Sequence, residues 1–336
     1  MNRSAARLDD ARWTARYPGA SAMADQAQGL RDLADRALHG REMPTSAIAE
    51  QRTAARTIAI TSGKGGVGKT NLCANLAIRM GSGGSRVVVL DADLGLANAH
   101  MLLGITPRHQ LDHVLRGERT IDEVLCPAHR NVELVAGASD ITAAADLDPE
   151  QTVALVAELA SLDRRADIVL VDTGAGLSSS VRAFILAVEE VVVVTTPEPT
   201  AIADAYATMK VVARENPGAA IRLVVNMARD ASDAEAAAKR LRLVCRRFLG
   251  IEIDCLGWVP QDPAVPRAVR AQRPILLEQP SCPAAAAIAG IAQSLGCHGD
   301  GRRGATGFVS RVLGLLSRSG RLRDPIERNT TCPRAN

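Results

Sequence analysis

Residues 57–71, TIAITSGKGGVGKTN, bring four glycines, two lysines and three threonines into one short run. Gly63 and Gly68 bracket four residues, and Lys69 and Thr70 follow at once. This is the phosphate-binding spacing G-x-x-x-x-G-K-[ST], set between a strand-like run and a helix-like one. Backbone N–H groups of such a loop reach phosphate oxygens where no Cβ intervenes, and the N-terminus of the following helix adds its positive end. Gly63, Lys64, Gly65, Gly66, Val67, Gly68, Lys69, Thr70 and Asn71 are therefore the candidate cradle. Lys69 would hold the β and γ phosphates, and Thr70 would offer its hydroxyl to Mg²⁺. The chain has only four lysines, at 64, 69, 210 and 239, among 40 basic residues, so half of them lie in this loop. A compact ammonium enters a crowded phosphate site that a planar guanidinium fits poorly.

Two further runs end in acids. VVVLDADLGLANAH places Asp91 and Asp93 after an apolar stretch, and IVLVDTGAGL does the same for Asp172. One such acid is usually a solvated turn residue. Three of them at carboxyl ends of buried strands, beside a phosphate loop, point to a metal and phosphate site.

The elements that must position these groups alternate in type. Strand-like runs occur at 57–61, 86–93, 132–137, 167–174, 190–198, 221–227 and 254–260, with helix-length segments such as 70–80, 150–165, 178–188, 200–215 and 232–248 between them. Most strand runs are continuously apolar, as strands buried on both faces should be. The pattern predicts an α/β fold, a doubly wound, mostly parallel sheet flanked by helices, with ligands at the carboxyl ends of the strands. Aromatics make up only 2% of the chain, so Ala, Val, Leu and Ile must build the core. A net charge of +3 is too small to imply a nucleic-acid partner. The seven cysteines form no C-x-x-C, which suggests neither a disulfide scaffold nor a zinc site. No apolar leader and no membrane-length run is seen, so the bulk of the chain is expected in the cytoplasm. Three parts are expected: an arm over 1–55, a nucleotide-binding domain over 56–297, and a linker, helix and tail over 298–336.

Lys64 departs from an ordinary phosphate loop. The run K-G-G-x-G-K-T from Lys64 to Thr70 resembles the deviant Walker A loop of the MinD/ParA class of ATPases. That resemblance implies a P-loop NTPase of the MinD-like (SIMIBI) kind, with ATP and Mg²⁺ as ligands. It also implies slow, switch-type hydrolysis of ATP and an ATP-dependent homodimer in which Lys64 crosses to the partner's nucleotide. The class pattern D-x-D-x-G-x-x-N matches Asp91, Asp93, Gly95 and Asn98. By resemblance Asp93 orients or activates the attacking water, Asp91 supports the metal with Thr70, and Asp172, at the Walker B position, fixes Mg²⁺ through water. Lys64, Lys69 and Asp93 are thus the catalytic candidates. A guanine-reading Asn-Lys-x-Asp is missing after the late strand, where VVNMARD stands instead, so the base is expected to be adenine. Asn226 matches the class's base-contacting asparagine, and the GWVPQD turn at Pro260 matches its second wall.

Residues 195–210 and 257–275 resemble the flagellar-number regulators of this class, the FlhG group, also called FleN or YlxH. There the motif D-Q-A-x-x-L-R, here Asp25, Gln26, Ala27, Leu30 and Arg31, stimulates the signal-recognition-type GTPase FlhF. Leu30 and Leu33 with Ala27, Ala34 and Ala37 form a short apolar stripe at helical spacing, which reads as a segment that folds on a partner or packs on its own domain. In the tail, Phe308, Val312, Leu315 and Leu316 share one helix face, with Val309 and Leu313 beside them. Residues 299–336 carry eight arginines against three acids, and a basic amphipathic helix behind a glycine-rich linker reads as a reversible anchor on an anionic membrane surface. Gly307 and Gly314 weaken it as a free helix, and docking on its own domain is the competing reading. The resemblance also implies rotor-switch proteins and a flagellar transcription regulator as partners, and placement on the inner face of the cell membrane, including the poles. Direct nucleic-acid binding is not expected. MinD-like division-site and ParA-like partition ATPases, or an adaptor with incidental hydrolysis, are the alternatives.

Overall fold

The computed structural model describes residues 55–93, 98–137, 161–296, 311, 312 and 315. Eight strands among them form one sheet: β1 (Arg56–Ser62), β2 (Val87–Ala92), β3 (Leu125–His129), β4 (Val132–Val135), β5 (Ile168–Ala175), β6 (Glu190–Thr195), β7 (Ala220–Ala228) and β8 (Asp254–Pro260). Their order is β3-β4-β2-β5-β1-β6-β7-β8, and every pair is parallel except β3 with β4. Strands β1, β2 and β6 are buried at every position, the reason their middles are consecutive apolar residues rather than an alternation. Parallel pairing brings the carboxyl ends of β1, β2, β5, β6, β7 and β8 to one edge, where the acids and the glycine loop lie.

Five longer helices cover the two faces: α1 (Lys69–Ser82), α2 (Ser179–Ala187), α3 (Pro199–Glu215), α4 (Ala231–Leu249) and α5 (Pro283–Gly296). On one face Leu72, Leu76 and Ile78 of α1 join Ile288, Ile291 and Leu295 of α5, and they pack on Ile58, Ile60, Val192 and Val194. On the other, Phe184 and Ile185 of α2, Met209 and Val212 of α3, and Leu241 and Cys245 of α4 pack on Ala59, Val191 and Val193. Successive strand residues thus feed opposite cores. The helix ends follow local chemistry. Pro199 opens α3 at the position where its missing N–H costs nothing. Asp230 caps α4 by accepting from the Asp233 N–H at 2.8 Å, and Gly250 closes it at φ 67°.

All seven expected strand runs form strands. Strand β3 was not expected: LCPAH is short and holds Pro127, which only an edge strand tolerates. Helix α5 was not among the named helical segments, and of the expected 150–165 helix the described part is 161–165, helical over Leu162–Arg165. The arm, with Asp25, Gln26, Ala27, Leu30 and Arg31, lies outside the described residues, as do Phe308, Val309, Leu313 and Leu316 of the tail. Arg311, Val312 and Leu315 are described and helical. Val312 is 6% exposed within the core that holds Phe184 and Ile185, Leu315 packs beside it, and Arg311 Nε donates to the Ala187 carbonyl at 2.7 Å. This part of the tail is docked at the end of α2. Among the described residues no helix is long and apolar enough to cross a membrane.

Candidate functional site

The loop between β1 and α1 is shaped by its glycines and by contacts from both sides. Gly66 and Gly68 adopt φ 79° and 88°, a left-handed region that side chains disfavour. Ser62 Oγ donates to the Lys64 carbonyl at 2.7 Å, and the Leu72 N–H reaches the Gly68 carbonyl at 3.0 Å, starting α1 directly from the loop. A Cβ at Gly63 would collide with the Asp204 backbone, so this glycine lets α3 press against the loop. Lys69 is buried at the first turn of α1, with Thr70 and Asn71 half-buried after it. The residues of the expected cradle thus lie together where β1 ends and α1 begins.

The acids meet behind it. Asp91 on β2 and Asp172 on β5 are register partners, and both are buried. Asp91 accepts the Asp93 N–H and the Ala99 N–H, each at 3.2 Å. Burial drives its pKa up to about 6 against the pull of those two donors. Asp172 is pushed further, to about 8, first by burial and then by the charge of Asp91; the Thr70 hydroxyl and the Lys69 ammonium pull the other way. Neither carboxylate oxygen of Asp172 has a hydrogen-bond partner of normal geometry among the described residues. An orphaned buried carboxylate is costly unless a cation satisfies it. With a hydroxyl beside it, the donor set is all hard oxygen, which suits Mg²⁺ completed by phosphate and water. Asp93 is half-buried, with Gly174 leaving space: a Cβ there would lie 3.2 Å from Asp93 Oδ1. Gly95 lies outside the described residues, and Asn98 is exposed at the start of the helical turn Ala99–Leu102.

Beside the loop, a cleft of about 930 Å³ runs from Gly68 and Asn71 to Asn226, Met227, Pro260 and Val265. It is mostly apolar, and Asn226 and Pro260 are among its lining residues. Two contacts were not foreseen. Lys64 Nζ pairs with Glu198 Oε2 at 2.6 Å and lies 3.2 Å from Thr200 Oγ1, on an exposed surface at the start of α3. Asn226 Nδ2 donates to the Val67 carbonyl at 2.8 Å, inside the loop. The structure therefore joins Lys69, Thr70, Asp91, Asp93 and Asp172 in one site, with Asn226 and Pro260 along its side, and it leaves Val312 and Leu315 away from it against α2.

A family model described as an AAA domain matches residues 55–217. The chain is 38% identical over 240 residues to "Antiactivator FleN" of Pseudomonas aeruginosa, covering 71% of this chain and 86% of that one. It is 37% identical over 223 residues to "Flagellum site-determining protein YlxH" of Helicobacter pylori, covering 64% and 73%. Among solved structures, the septum site-determining protein MinD of Pyrococcus horikoshii, complexed with Mg-ADP, superposes with a TM-score of 0.60 at 28% identity, covering 72% and 96%. The present chain is a P-loop ATPase, with ATP and Mg²⁺ as its ligands. The chain belongs to the MinD/ParA-type P-loop ATPases, and its likeness within them is to the flagellar FlhG group.

Proposed function

We propose that this ATPase is a dimerising switch that regulates flagellar number and placement; its likeness to an antiactivator, FleN, and to a flagellum site-determining protein, YlxH, supports that reading. The observation that carries the reading is the buried Asp172 carboxylate, which has the Thr70 hydroxyl and the Lys69 ammonium beside it but no hydrogen bond of normal geometry among the described residues. A site so built is incomplete without Mg-nucleotide. A bound Mg²⁺ would supply positive charge against the negative charge that develops as the γ-phosphoryl group leaves. Thr70 and Asp172 would hold it, with Asp91 supporting. Lys69 takes the β/γ charge, and the glycine loop supplies N–H donors. Asp93, half-buried and free to point into the site, orients the attacking water. Asn226 and Pro260 flank adenine.

Lys64 is the dimer residue in this reading. Its pair with Glu198 has side chains 40% and 63% exposed, and such surface pairs contribute about 0–1 kcal/mol. A partner's polyphosphate outcompetes one carboxylate, so the ammonium is available to cross. Outside the ATPase domain (56–297), the arm (1–55) stimulates an FlhF-type GTPase through residues 25–31. The tail (298–336) leaves α2 to reach an anionic membrane, and rotor-switch proteins or a flagellar transcription regulator receive the signal. The protein then cycles between cytoplasm and the inner membrane face, including the poles. The test is oligomeric state by light scattering. Wild type should be dimeric with ATP and monomeric with ADP, and Lys64→Ala should stay monomeric with both while still binding ADP. Dimerisation of Lys64→Ala with ATP would refute the crossing role.

A second reading has its own observation. Lys239, Arg240, Arg242, Arg246 and Arg247 are all exposed on α4, although Arg246 pairs with Glu252 at 2.7 Å. The sequence reading placed the excess positive charge in the tail, so this basic face is new, and it favours a ParA-like contact with DNA. Salt-sensitive retention of duplex DNA, lost in Arg240→Glu/Arg247→Glu, would support that reading.

A further inference from the structure

Asn226 touches two parts of the site with one amide. Its Nδ2 donates to the Val67 carbonyl at 2.8 Å, and its Oδ1 accepts from the Met227 N–H at 3.0 Å. The second contact fixes the first: with the oxygen committed to an N–H, the nitrogen is the atom turned toward the loop. Met227 holds φ 56°, a region a non-glycine side chain rarely visits, and this kink sets the amide at the loop's edge. The loop is shaped to receive it. A Cβ at Gly68 would collide with Asn226 Nδ2, and Gly68 has a positive φ of its own. Val67 and Gly68 lie where a phosphate loop aims its backbone N–H groups. Asn226 also lines the base cleft with Pro260, and one Nδ2 hydrogen and one Oδ1 lone pair remain for a base.

We propose that Asn226 is a positioning residue that holds the phosphate loop in its binding shape before nucleotide arrives, and so couples the base cleft to the phosphate cradle. This rests on the nucleotide-site reading above and goes beyond a base-contacting role. A base seated on the free donor and acceptor stiffens the same amide that fixes Val67. A loop without the tether must be ordered by the ligand, which weakens binding of the phosphates themselves.

Amide hydrogen exchange on the full-length, nucleotide-free protein separates the roles, because no base is present. Asn226→Ala removes both contacts. Asn226→Asp keeps the size and the acceptor for Met227 but loses the donor and sets a carboxylate oxygen against the Val67 carbonyl. Both variants should exchange residues 63–70 about fivefold faster or more, the worth of one lost hydrogen bond, with β5 and β6 unchanged as a folding control. ADP affinity should fall by a similar factor. Loop exchange equal to wild type in either variant overturns the proposal, leaving at most a base contact. If wild type bound no ATP while the variants still exchanged faster, the nucleotide reading would fail and the tether would stand.

Discussion

Asp91 and Asp172 are register partners on adjacent parallel strands, yet among the described residues only Asp91 accepts backbone N–H groups. Two carboxylates so close and so buried cannot both ionise cheaply, and the one without those donors has its pKa raised further. The asymmetry is the ground for proposing Asp172 as the cation's ligand.

A pH dependence follows for the nucleotide-free protein. Asp172 has its folded pKa raised from 3.8 to about 8, so the folded state holds the proton more tightly. Its contribution to stability is complete below the unfolded value and is lost as pH rises through about 4 to 8. Asp172→Asn removes that loss. The variant should melt higher than wild type at pH 8, by about 2–4 °C for each kcal/mol of relief, and lose the Mg²⁺ dependence of ATP binding. Calorimetry at pH 6 and 8 measures both, and identical pH slopes for the two proteins would contradict the argument.

Catalysis tests Asp93. Asp93→Ala leaves Lys69, Thr70 and Asp172 in place, so ATP should bind and the dimer accumulate while hydrolysis slows by about 10²–10⁴-fold, the usual scale of general-base loss. Phosphate release within twofold of wild type would move the role to another residue. Lys69→Ala, by contrast, should abolish nucleotide binding, because Lys69 is the buried cation of the cradle.

Much of this was legible in the sequence for one physical reason. Strands buried on both faces, such as β2 and β5, write themselves as apolar runs, VVVL and IVLV, and the acids that follow, Asp91 and Asp172, mark the carboxyl edge where a ligand is expected. LCPAH of β3 lacks that signal, since an edge strand of five residues with a proline looks like a loop. The cradle was legible because its contacts are local. The Lys64–Glu198 pair and the Asn226–Val67 bond join residues 134 and 159 positions apart, so they depend on how α3 and β7 meet the loop. No spacing rule encodes that. Gly63 shows the same limit: its motif role was clear, but its tight approach to Asp204 appears only in the packing.

The arm is tested by deletion. Removing residues 1–37 should leave ATP hydrolysis and ATP-dependent dimerisation as in wild type, because the whole cradle lies from residue 62 onward. Stimulation of an FlhF-type GTPase should be lost, and a peptide of residues 20–38 should restore it. A peptide without effect in a GTPase assay would return the apolar stripe at Leu30 and Leu33 to a packing role.

The tail gives the last prediction, because in the proposed switch the same side chains would serve two competing sites. Val312 is buried beside Phe184, and fully burying such a side chain contributes about 1.5–3 kcal/mol, whether the cover is α2 or lipid. The Arg311–Ala187 bond at 2.7 Å adds to the docked side only. Ordering a helix that contains Gly314 costs about 1–2 kcal/mol per residue in backbone entropy, so one tail should hold a membrane weakly and two tails in an ATP dimer far better. Sedimentation with anionic vesicles should show binding with ATP and little with ADP, weakening as salt rises. Leu316→Glu should reduce binding with ATP, since a charge would enter the apolar face. Arg311→Lys keeps the charge for lipid but replaces the Nε–H donor at Ala187, so it should raise binding with ADP toward the ATP level. Equal lipid binding by wild type with both nucleotides would remove the switch. No change in Arg311→Lys would show that docking at α2 does not hold the tail back.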